Sequence, residues 1–480
     1  MGVFNLPHTH IKAFLLKTVL NNTDGGVVDG ALLYAQVGTT LVIGGAFGAF
    51  SSGWMADTFG RRNTLLVNHM FAISGGILCA LCVNRSQFIL LYLGRFLSGI
   101  NCGITIGVAT MYLTEIAPRR LRGAVGASHQ LALTLGAFVS YLVTLDRVQG
   151  TADAWPNAAL VGTIPAITSL IILPLLPESP RFLSVKNNRK SEAIRAVSRL
   201  STISNVPDLM RELTEEAEVA KKQPEFRFRQ LFVEPRLRMP LMISCLIPVF
   251  QQLSGINAVV TYSASILSTA GVPPEISQYC VAGFGLINFL MTVMSIPLLE
   301  RAGRRTMLLW PTVLMALSLL ILTISVTLGQ KYQGLPNARP FSYASVVLII
   351  LYFCGFGLGP GPVPALVVAE IFTQGPRAAA CSLSHGLLWV SQLLVLFGYP
   401  SLNDKIGGYS LLPFFVVAVT CWVFFLLYMP ETKNRSYDEI ACELAAGGTV
   451  FRRNGKFSRY GLTDSDSSHG KTPLEIVIRK

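Results

Sequence analysis

The sequence predicts an all-α membrane protein built from two pseudo-symmetric helix bundles, with eleven membrane-spanning segments. Three observations support this fold class. The 480 residues are 51% hydrophobic and only 14% charged, whereas soluble proteins carry about 25% charged residues. Apolar stretches of about 20 residues, the length that crosses a bilayer, recur along the chain. The charged motifs between them occur twice in the same order. This composition excludes an ordinary soluble enzyme, a disordered chain and a disulfide scaffold.

Each predicted span is an apolar stretch that is long enough to cross the hydrocarbon core as a helix. Their high glycine content is compatible with helices, because in lipid the backbone must satisfy its own hydrogen bonds. The predicted spans cover residues 31–55, 64–83, 86–114, 124–145, 155–177, 239–274, 276–299, 306–330, 340–369, 378–403 and 406–430.

The connecting segments differ in charge, and this difference orients the spans. Alternate segments and the C-terminal tail hold 31 of the 39 Lys and Arg, whereas the segments on the other side hold seven. Cytoplasmic loops are enriched in Lys and Arg, so the basic set is assigned to the cytoplasm and the N-terminus to the outside. The net charge of +13 therefore predicts contact with a lipid bilayer and not with nucleic acid, because the basic residues form no single patch.

With this orientation the chain divides into five regions. Residues 1–30 form an extracellular N-terminal segment, and residues 31–177 form an N-terminal bundle of five spans. Residues 178–238 are a charged cytoplasmic connector. Residues 239–430 form a C-terminal bundle of six spans, and residues 431–480 form a cytoplasmic tail.

Two polar or charged features take their interpretation from the same orientation. The sequon at Asn21 falls outside, so we expect Asn21 to be glycosylated, whereas the sequon at Asn434 falls inside and should stay unmodified. Arg95, the single full charge within the spans, lies toward the outer end of its helix. We expect it to form a structural pair or to extend to the membrane surface.

A repeat of charged motifs relates the two bundles. The DTFGRR sequence at 57–62 returns as ERAGRR at 300–305, and the Pro-Glu-Ser motif at 177–179 returns as Pro-Glu-Thr at 430–432. Parallel repeats of this kind are typical of two-bundle transporters with a midplane substrate site. Acids and arginines at such short turns can pair, which predicts a latch that joins the cytoplasmic ends of the bundles in one state and opens in another. The predicted latch residues are Asp57, Arg61, Arg62, Glu115, Arg122, Glu178, Glu300, Arg304, Arg305, Glu370, Arg377 and Glu431.

Polar residues within the spans mark a candidate midplane site. Gln251, Gln252 and Asn257 lie in one apolar stretch, and an unbroken helix would point them in different directions. Gly255 predicts a break that turns Asn257 toward the others, and the Gly-Pro pairs at 359–362 predict a second break. Neutral amides suit the several hydroxyl groups of a sugar. The alternative for any one of them is an interhelical hydrogen bond.

Several of these motifs together resemble the signatures of the sugar porter family of the major facilitator superfamily, and especially its animal facilitative hexose transporters. The motifs are DTFGRR at 57–62, RFLSGINCGITIG at 95–107, PESPRFL at 177–183, QQLSGINAVVTYS at 251–263, ERAGRR at 300–305, GPGPVPALVVAEIF at 359–372 and PETKNRS at 430–436. The resemblance spans residues 31–440 and implies the major facilitator fold. That fold has twelve spans, and the first has no counterpart in the sequence, which offers only the short apolar run 11–20 before residue 31.

The resemblance also implies a set of substrate contacts. It places sugar-binding roles on Gln130, Gln251, Gln252, Asn257 and Asn288, a ring-side or gating role on Trp389 and a polar contact on Gln392. The sequence departs from glucose-preferring members at several positions of this region, which predicts a roomier and less polar site of the fructose-accepting kind. The departures are Pro248-Val249-Phe250, Gly357, Ala365, Leu388 and Thr261.

The leading functional prediction is a facilitative transporter of fructose, glucose or both in the cell membrane. No GxxxxGK[ST] motif is present, which argues against ATP-driven pumping. No metal-ligand cluster stands out in the sequence, and we expect no cofactor or metal. No set of a nucleophile and a base stands out, so the sequence does not predict an enzyme. The alternatives are a non-transporting sugar sensor or truncated regulatory isoform, suggested by the absent span, and a proton-coupled sugar symporter. The sequence leaves the oligomeric state open.

Overall fold

The computed structural model describes most of the chain. It covers residues 4, 6–20, 30–117, 122–186, 189–200, 206–222, 228–332, 339–372, 374–433, 435, 439–440 and 443–444. The predictions made for Asn21, for Asn434 and for the tail beyond residue 444 lie outside these residues.

The described residues form helices and no strand, as the sequence predicts. In the first half of the chain the helices are α1 His8–Leu20, α2 Gly30–Phe59, α3 Arg61–Asn84, α4 Phe88–Ile116, α5 Arg122–Val143, α6 Ala158–Val161 and α7 Thr163–Ile172. The connector contributes α8 Lys190–Leu200, α9 Val206–Lys222 and α10 Gln230–Val233. The second half contains α11 Pro235–Leu253, α12 Ile256–Thr269, α13 Pro274–Ala302, α14 Arg304–Lys331, α15 Arg339–Leu358, α16 Val363–Ile371, α17 Gln374–Ile406 and α18 Leu412–Tyr428.

Nine segments of the described chain are long and apolar enough to cross a membrane. The ninth, Ala379–Tyr428, runs for 50 residues and contains both most of α17 and all of α18. The helix over Ser128–Val143 is apolar but shorter. Eleven spans require that the ninth segment crosses twice and that Ser128–Val143 also crosses, so the count of eleven and the five-region division remain predictions.

Both predicted helix breaks are confirmed. Gly255 separates α11 from α12 and has a φ of 92°, in the left-handed region that glycine adopts readily. An added Cβ there would lie 2.8 Å from the Phe414 ring, so both backbone and space require glycine. The second break falls between Leu358 and Val363, where prolines remove backbone donors and end the helix.

The two halves meet along two pairs of helices. On the first seam α17 packs on α2, where an added Cβ at Gly386 would lie 2.7 Å from the Phe50 ring. On the second seam α13 packs on α5, where an added Cβ at Gly285 would lie 2.6 Å from the Tyr141 ring. Small residues at both seams let the helices approach closely, which is how helices associate in lipid. Polar side chains that lie between these two seams are therefore enclosed by helices from both halves.

The N-terminal residues form helix α1, which the hydropathy pattern does not predict. Helix α1 buries Ile11 and Leu15 in a cluster with Leu91 and Trp155, and the Phe14 ring meets Trp155 edge to face at 5.9 Å. The short apolar run 11–20 is therefore a packed element of the first half.

Candidate functional site

The second helix break supplies hydrogen-bond acceptors to Gln251. This residue lies in the last turn of α11 and is buried. Its Nε2 donates to the carbonyl oxygens of Pro360 at 2.8 Å and Gly361 at 3.1 Å. These carbonyls belong to the turn between α15 and α16 and are therefore available to a side chain. Gln251 thus ties the end of α11 to the interruption between α15 and α16.

A glutamine from the first half approaches the same turn. The Nε2 atom of Gln130, on α5, lies 3.2 Å from the position that a Cβ at Gly361 would occupy. Gln130 and Gln251 therefore converge on one stretch of irregular backbone from opposite halves. The absence of a side chain at Gly361 is what admits the amide of Gln130.

Three further amides form a chain across α11, α12 and α17. Asn257 Nδ2 donates to Gln252 Oε1, and Gln392 Nε2 donates to Asn257 Oδ1 at 3.4 Å. Asn257 stands two residues after Gly255, so the left-handed turn brings it to Gln252. This juxtaposition is what the sequence predicts from the break. The amides offer both donors and acceptors without a formal charge.

Asn288 carries a buried acceptor that is not satisfied. It lies on α13, and its Oδ1 has no hydrogen-bond partner within the described part of the chain. The oxygen is 3.0 Å from the position that a Cβ at Gly357 would occupy. Gly357 is one of the departures noted in the sequence, and its missing side chain leaves the Asn288 oxygen without a neighbour on that side. Buried polar atoms without partners are costly, so this oxygen is suited to a ligand hydroxyl group.

Trp389 stands on the seam between the halves. Its ring packs on α2 with Leu41 and Val42, and an added Cβ at Gly45 would lie 2.5 Å from the ring. The indole Nε1 is buried, and none of the described residues accepts a hydrogen bond from it. Trp389 precedes Gln392 by one helical turn of α17, so the ring and the amide chain lie on the same side of that helix.

The charged repeat of the first half forms a compact cluster. Arg61 holds Glu115 through two hydrogen bonds, Nε to Oε2 at 3.0 Å and the second guanidinium nitrogen to Oε1 at 3.1 Å. Glu178 accepts from the backbone N–H groups of Arg61 and Arg62 at 3.0 and 3.1 Å. These N–H groups open helix α3, so a distant carboxylate caps this helix. Ser179 adds a hydroxyl hydrogen bond to Glu115.

The second half repeats this arrangement. Arg304 donates to Glu370 at 2.8 Å, and Glu431 accepts from the backbone N–H groups of Arg304 at 2.9 Å and Arg305 at 3.2 Å. Thr432 donates its hydroxyl to Glu370 at 2.5 Å. Each cluster joins three segments of its own half, and no ion pair among the described residues joins one cluster to the other.

Glycines make room for both capping carboxylates. Gly60 and Gly303 have φ values of 92° and 87°, which side chains rarely adopt. An added Cβ at Gly60 would lie 2.5 Å from Glu178 Oε2, and one at Gly303 would lie 2.4 Å from Glu431 Oε2. The glycine of each Gly-Arg-Arg motif is thus required by backbone conformation and by contact.

The other predicted latch residues fall into different positions. Asp57 is exposed and lies 3.4 Å from Arg61, but Glu300, its counterpart, makes no ion pair within the part of the chain that the structure describes. Glu300 is exposed, and its predicted role in the latch stays a prediction. Arg377 donates to the Phe372 carbonyl at 3.0 Å, whereas Arg304 makes the ion pair to Glu370. The side chain of Arg122 lies outside the described atoms.

The second arginine of each Gly-Arg-Arg motif donates a hydrogen bond to a backbone carbonyl group. Arg62 donates to the Leu176 carbonyl at 3.1 Å, and Arg305 donates to the Leu426 carbonyl at 2.7 Å. The repeated motifs predict that these arginines pair with carboxylates. Each instead ties its loop to the end of the last span of its half.

Comparison with known proteins agrees with this architecture. Residues 1–444 match the family model described as "Sugar (and other) transporter". The facilitated glucose transporter member 1 of solute carrier family 2 from Gallus gallus is 35% identical over 449 residues, which cover 93% of this chain and 90% of that protein. Member 3 from Ovis aries is 36% identical over 441 residues, 92% of this chain and 88% of that protein.

The fold has solved counterparts. The proton:xylose symporter XylE bound to 6-bromo-6-deoxy-D-glucose superposes with a TM-score of 0.73 at 20% identity, over 92% of this chain and 96% of that one. The inward-open XylE from E. coli gives a TM-score of 0.69 at 19% identity, over 92% and 97%. At this identity the likeness concerns the fold alone.

Proposed function

Because the chain belongs to the sugar transporter family of the major facilitator superfamily, we propose that it carries a hexose across the cell membrane by facilitated exchange between outward-facing and inward-facing states. The family membership makes it a multi-pass membrane sugar transporter. Its relatives from Gallus gallus and Ovis aries are named facilitated glucose transporters, which supports a hexose as the substrate.

One observation carries the proposal. Gln130 from the first half and Gln251 from the second converge on the turn between α15 and α16, beside the amide chain of Gln252, Asn257 and Gln392. A hexose presents several hydroxyl groups that each donate and accept, and neutral amides match them without the desolvation of a charge. Groups contributed by both halves let one sugar be bound between them and released as they separate.

The two helix breaks give this site its moving parts. Residues that follow Gly255 can rotate relative to α11, and α16 can rotate relative to α15 about the turn at 359–362. The charged clusters then act within each half. They hold the ends of three segments together, so that each bundle moves as a unit while the breaks flex. In this form the proposed latch stiffens each bundle at its cytoplasmic end.

Within the hexoses we propose that fructose is accepted. Ala365 presents a methyl group where glucose-preferring members carry a larger ring, and its side chain is exposed. Gly357 leaves the Asn288 oxygen without a partner. We propose that both positions lie on the second-half side of the site and make it roomier, and that the Asn288 oxygen is free to accept from a fructose hydroxyl group. Asn288 and Trp389 would then contact the edge and the face of the ring.

Proton coupling is the second candidate, since the structural neighbour XylE is a proton:xylose symporter. Coupling through a carboxylate needs an Asp or Glu close to the substrate. Within the described part of the chain, each Asp and Glu lies near a helix end, in a loop or in the connector. This placement argues against coupling through a carboxylate and supports facilitated exchange.

The test is counterflow of labelled hexose in liposomes that contain the purified full chain. We expect glucose and fructose each to exchange against an unlabelled internal pool, with no stimulation by an inward proton gradient. When amide residues of the site are replaced by Ala in this assay, Gln87→Ala is the matched control, because Gln87 is an exposed residue of the loop before α4. Accumulation that requires the proton gradient would establish the symporter, and absence of exchange at normal protein content would favour the sensor or regulatory isoform.

A further inference from the structure

A small cavity separate from the amide cluster lies between the two halves. Its volume is about 20 Å³, and a single water molecule needs roughly 10–15 Å³ by the same kind of measure. The walls come from α2 and α4 of the first half and from α12 and α17 of the second. The lining residues used below are Phe4, Tyr34, Gly38, Arg95, Thr261 and Tyr262.

Arg95 brings an unpaired positive charge to this cavity. Only 6% of the residue is exposed, so it does not extend to the membrane surface as the sequence reading allowed. It makes no ion pair or hydrogen bond with the residues that the structure describes, and its Nε is buried without a partner. Its one specific contact is the face of the Phe4 ring, 4.5 Å from the guanidinium carbon. A buried charge is costly without a counter-charge.

A second unsatisfied donor faces the same space. Thr261 Oγ1 is buried and has no hydrogen-bond partner among the residues that the structure describes. The two phenols nearby direct their own hydroxyl protons elsewhere. Tyr34 donates to the Phe4 carbonyl at 2.8 Å, and Tyr262 donates to the Leu396 carbonyl at 3.2 Å. The described residues that line the cavity include no Asp or Glu. This part of the lining therefore presents a cation and hydroxyl groups but no anion.

We propose that this cavity binds one small monovalent anion, with chloride as the abundant example, between the guanidinium of Arg95 and the hydroxyl of Thr261. A water molecule would accept the two hydrogen bonds but would leave the charge of Arg95 uncompensated. The remaining wall is apolar and aromatic, which suits a weakly hydrated halide better than a multivalent ion.

The position of the ion connects the halves and the sugar-binding helix. Arg95 belongs to α4 in the first half and Thr261 to α12 in the second, so a shared ion favours the arrangement in which these helices are close. Thr261 follows Asn257 by four residues, one turn of α12. Occupancy of the ion site therefore fixes the rotation of the helix that carries the amide chain. The proposal concerns binding and does not depend on which sugar is carried.

The experiment is equilibrium binding of ³⁶Cl⁻ to the purified full chain in detergent, with gluconate as the replacing anion. We expect saturable binding of one chloride per chain. Thr261→Val, which has nearly the same shape, should weaken binding about tenfold or more, because a donor to a charged acceptor is lost. Arg95→Gln should abolish saturable binding. The charge-matched control is Arg85→Gln, since Arg85 is exposed in the loop before α4, and it should bind as the unmodified chain does.

A fourth variant keeps the test decisive if Arg95→Gln does not fold. Gly38 lines the cavity, and an added Cβ there meets nothing within 4 Å, so Gly38→Val can narrow the space without displacing a neighbour. We expect at least a tenfold loss of chloride binding in this variant as well. Absence of saturable binding in the unmodified chain would overturn the proposal. Equal binding in the unmodified chain, Thr261→Val and Gly38→Val would also overturn it, because the ion would then lie elsewhere.

Discussion

The two charged clusters differ in burial, and this difference predicts unequal losses when their arginines are removed. The side chains of Arg61 and Glu115 are 9% and 7% exposed, whereas those of Arg304 and Glu370 are 12% and 28% exposed. Arg61 makes two hydrogen bonds to its carboxylate, and Arg304 makes one. Arg61→Leu therefore strands a buried carboxylate, but after Arg304→Leu water can reach Glu370.

The expected magnitudes follow from these contacts. Removing one partner of a buried ion pair costs about 3–5 kcal/mol, which is the range expected for Arg61→Leu. The partly exposed pair should lose about 1–3 kcal/mol in Arg304→Leu, since solvent replaces part of the interaction. The control is Arg189→Leu. Its pair with Glu192 spans 3.6 Å between side chains that are 59% and 49% exposed, so its loss should stay below about 1 kcal/mol.

The assay is the free energy of unfolding of each purified variant in detergent, from titration with sodium dodecyl sulfate. Transport in liposomes is measured beside it. Both cluster variants should lower the transport rate, because a bundle whose end is loosened no longer moves as one unit. A loss for Arg304→Leu that equals or exceeds that for Arg61→Leu would refute the reasoning from burial. Losses as small as that of the control would show that neither cluster stabilises its bundle.

Three further predictions concern the cap, the topology and the substrate. Gly303→Ala should destabilise the chain by roughly 1–3 kcal/mol, because its Cβ would displace the Glu431 carboxylate that lies 2.4 Å away; a lowered midpoint of unfolding is the expected result, and an unchanged midpoint would contradict it. Glycosidase treatment of cell-expressed protein should remove a mobility shift that Asn21→Gln also abolishes and Asn434→Gln retains; the reverse would contradict the assigned orientation. Ala365→Trp should narrow the site and shift competitive uptake from fructose toward glucose, and an unchanged ratio would remove this residue from the specificity argument.

Local sequence signals accounted for the interruptions of the helices. Gly255 and the Gly-Pro pairs at 359–362 act within a few residues, so the chain itself shows where a helix must stop. The proximity of Asn257 to Gln252 follows from the first break, because a left-handed residue reverses the direction in which the next side chains point. The juxtaposition of Gln130 with Gln251 does not follow in the same way. It depends on how the first half packs on the second, which no local pattern specifies.

The repeat predicted the charged clusters but not their inner bonding. Sequence alone suggested pairing between side chains, whereas Glu178 and Glu431 accept from backbone N–H groups that open α3 and α14. Backbone donors have no sequence signature. The glycine at position 60 was the available signal in the sequence, since a glycine just before a helix can admit a capping carboxylate. The exposure of Glu300 was likewise beyond the pattern, because a repeated acid need not repeat its contact.

Helix α1 shows another limit of reading by hydropathy. The apolar run 11–20 is too short to span a bilayer, so the sequence predicts only an extracellular segment over residues 1–30. Their burial arises from tertiary contacts, chiefly those of Ile11 and Leu15 with Trp155. The burial of Arg95 also arises from tertiary contacts, because the Phe4 ring covers its guanidinium group only where the N-terminal segment packs.

The central claim is that the amide cluster binds the sugar. It is tested most directly by the apparent hexose affinity of Gln251→Ala and Asn257→Ala in liposomes, with Gln87→Ala as the control. Loss of a neutral hydrogen bond contributes roughly 0.5–1.5 kcal/mol, and an unpaired hydroxyl costs about 1–3 kcal/mol. The account predicts an affinity weakened about tenfold or more in both variants at normal protein yield. Unchanged affinity with a reduced yield would contradict it, because the amides would then serve only to hold helices together.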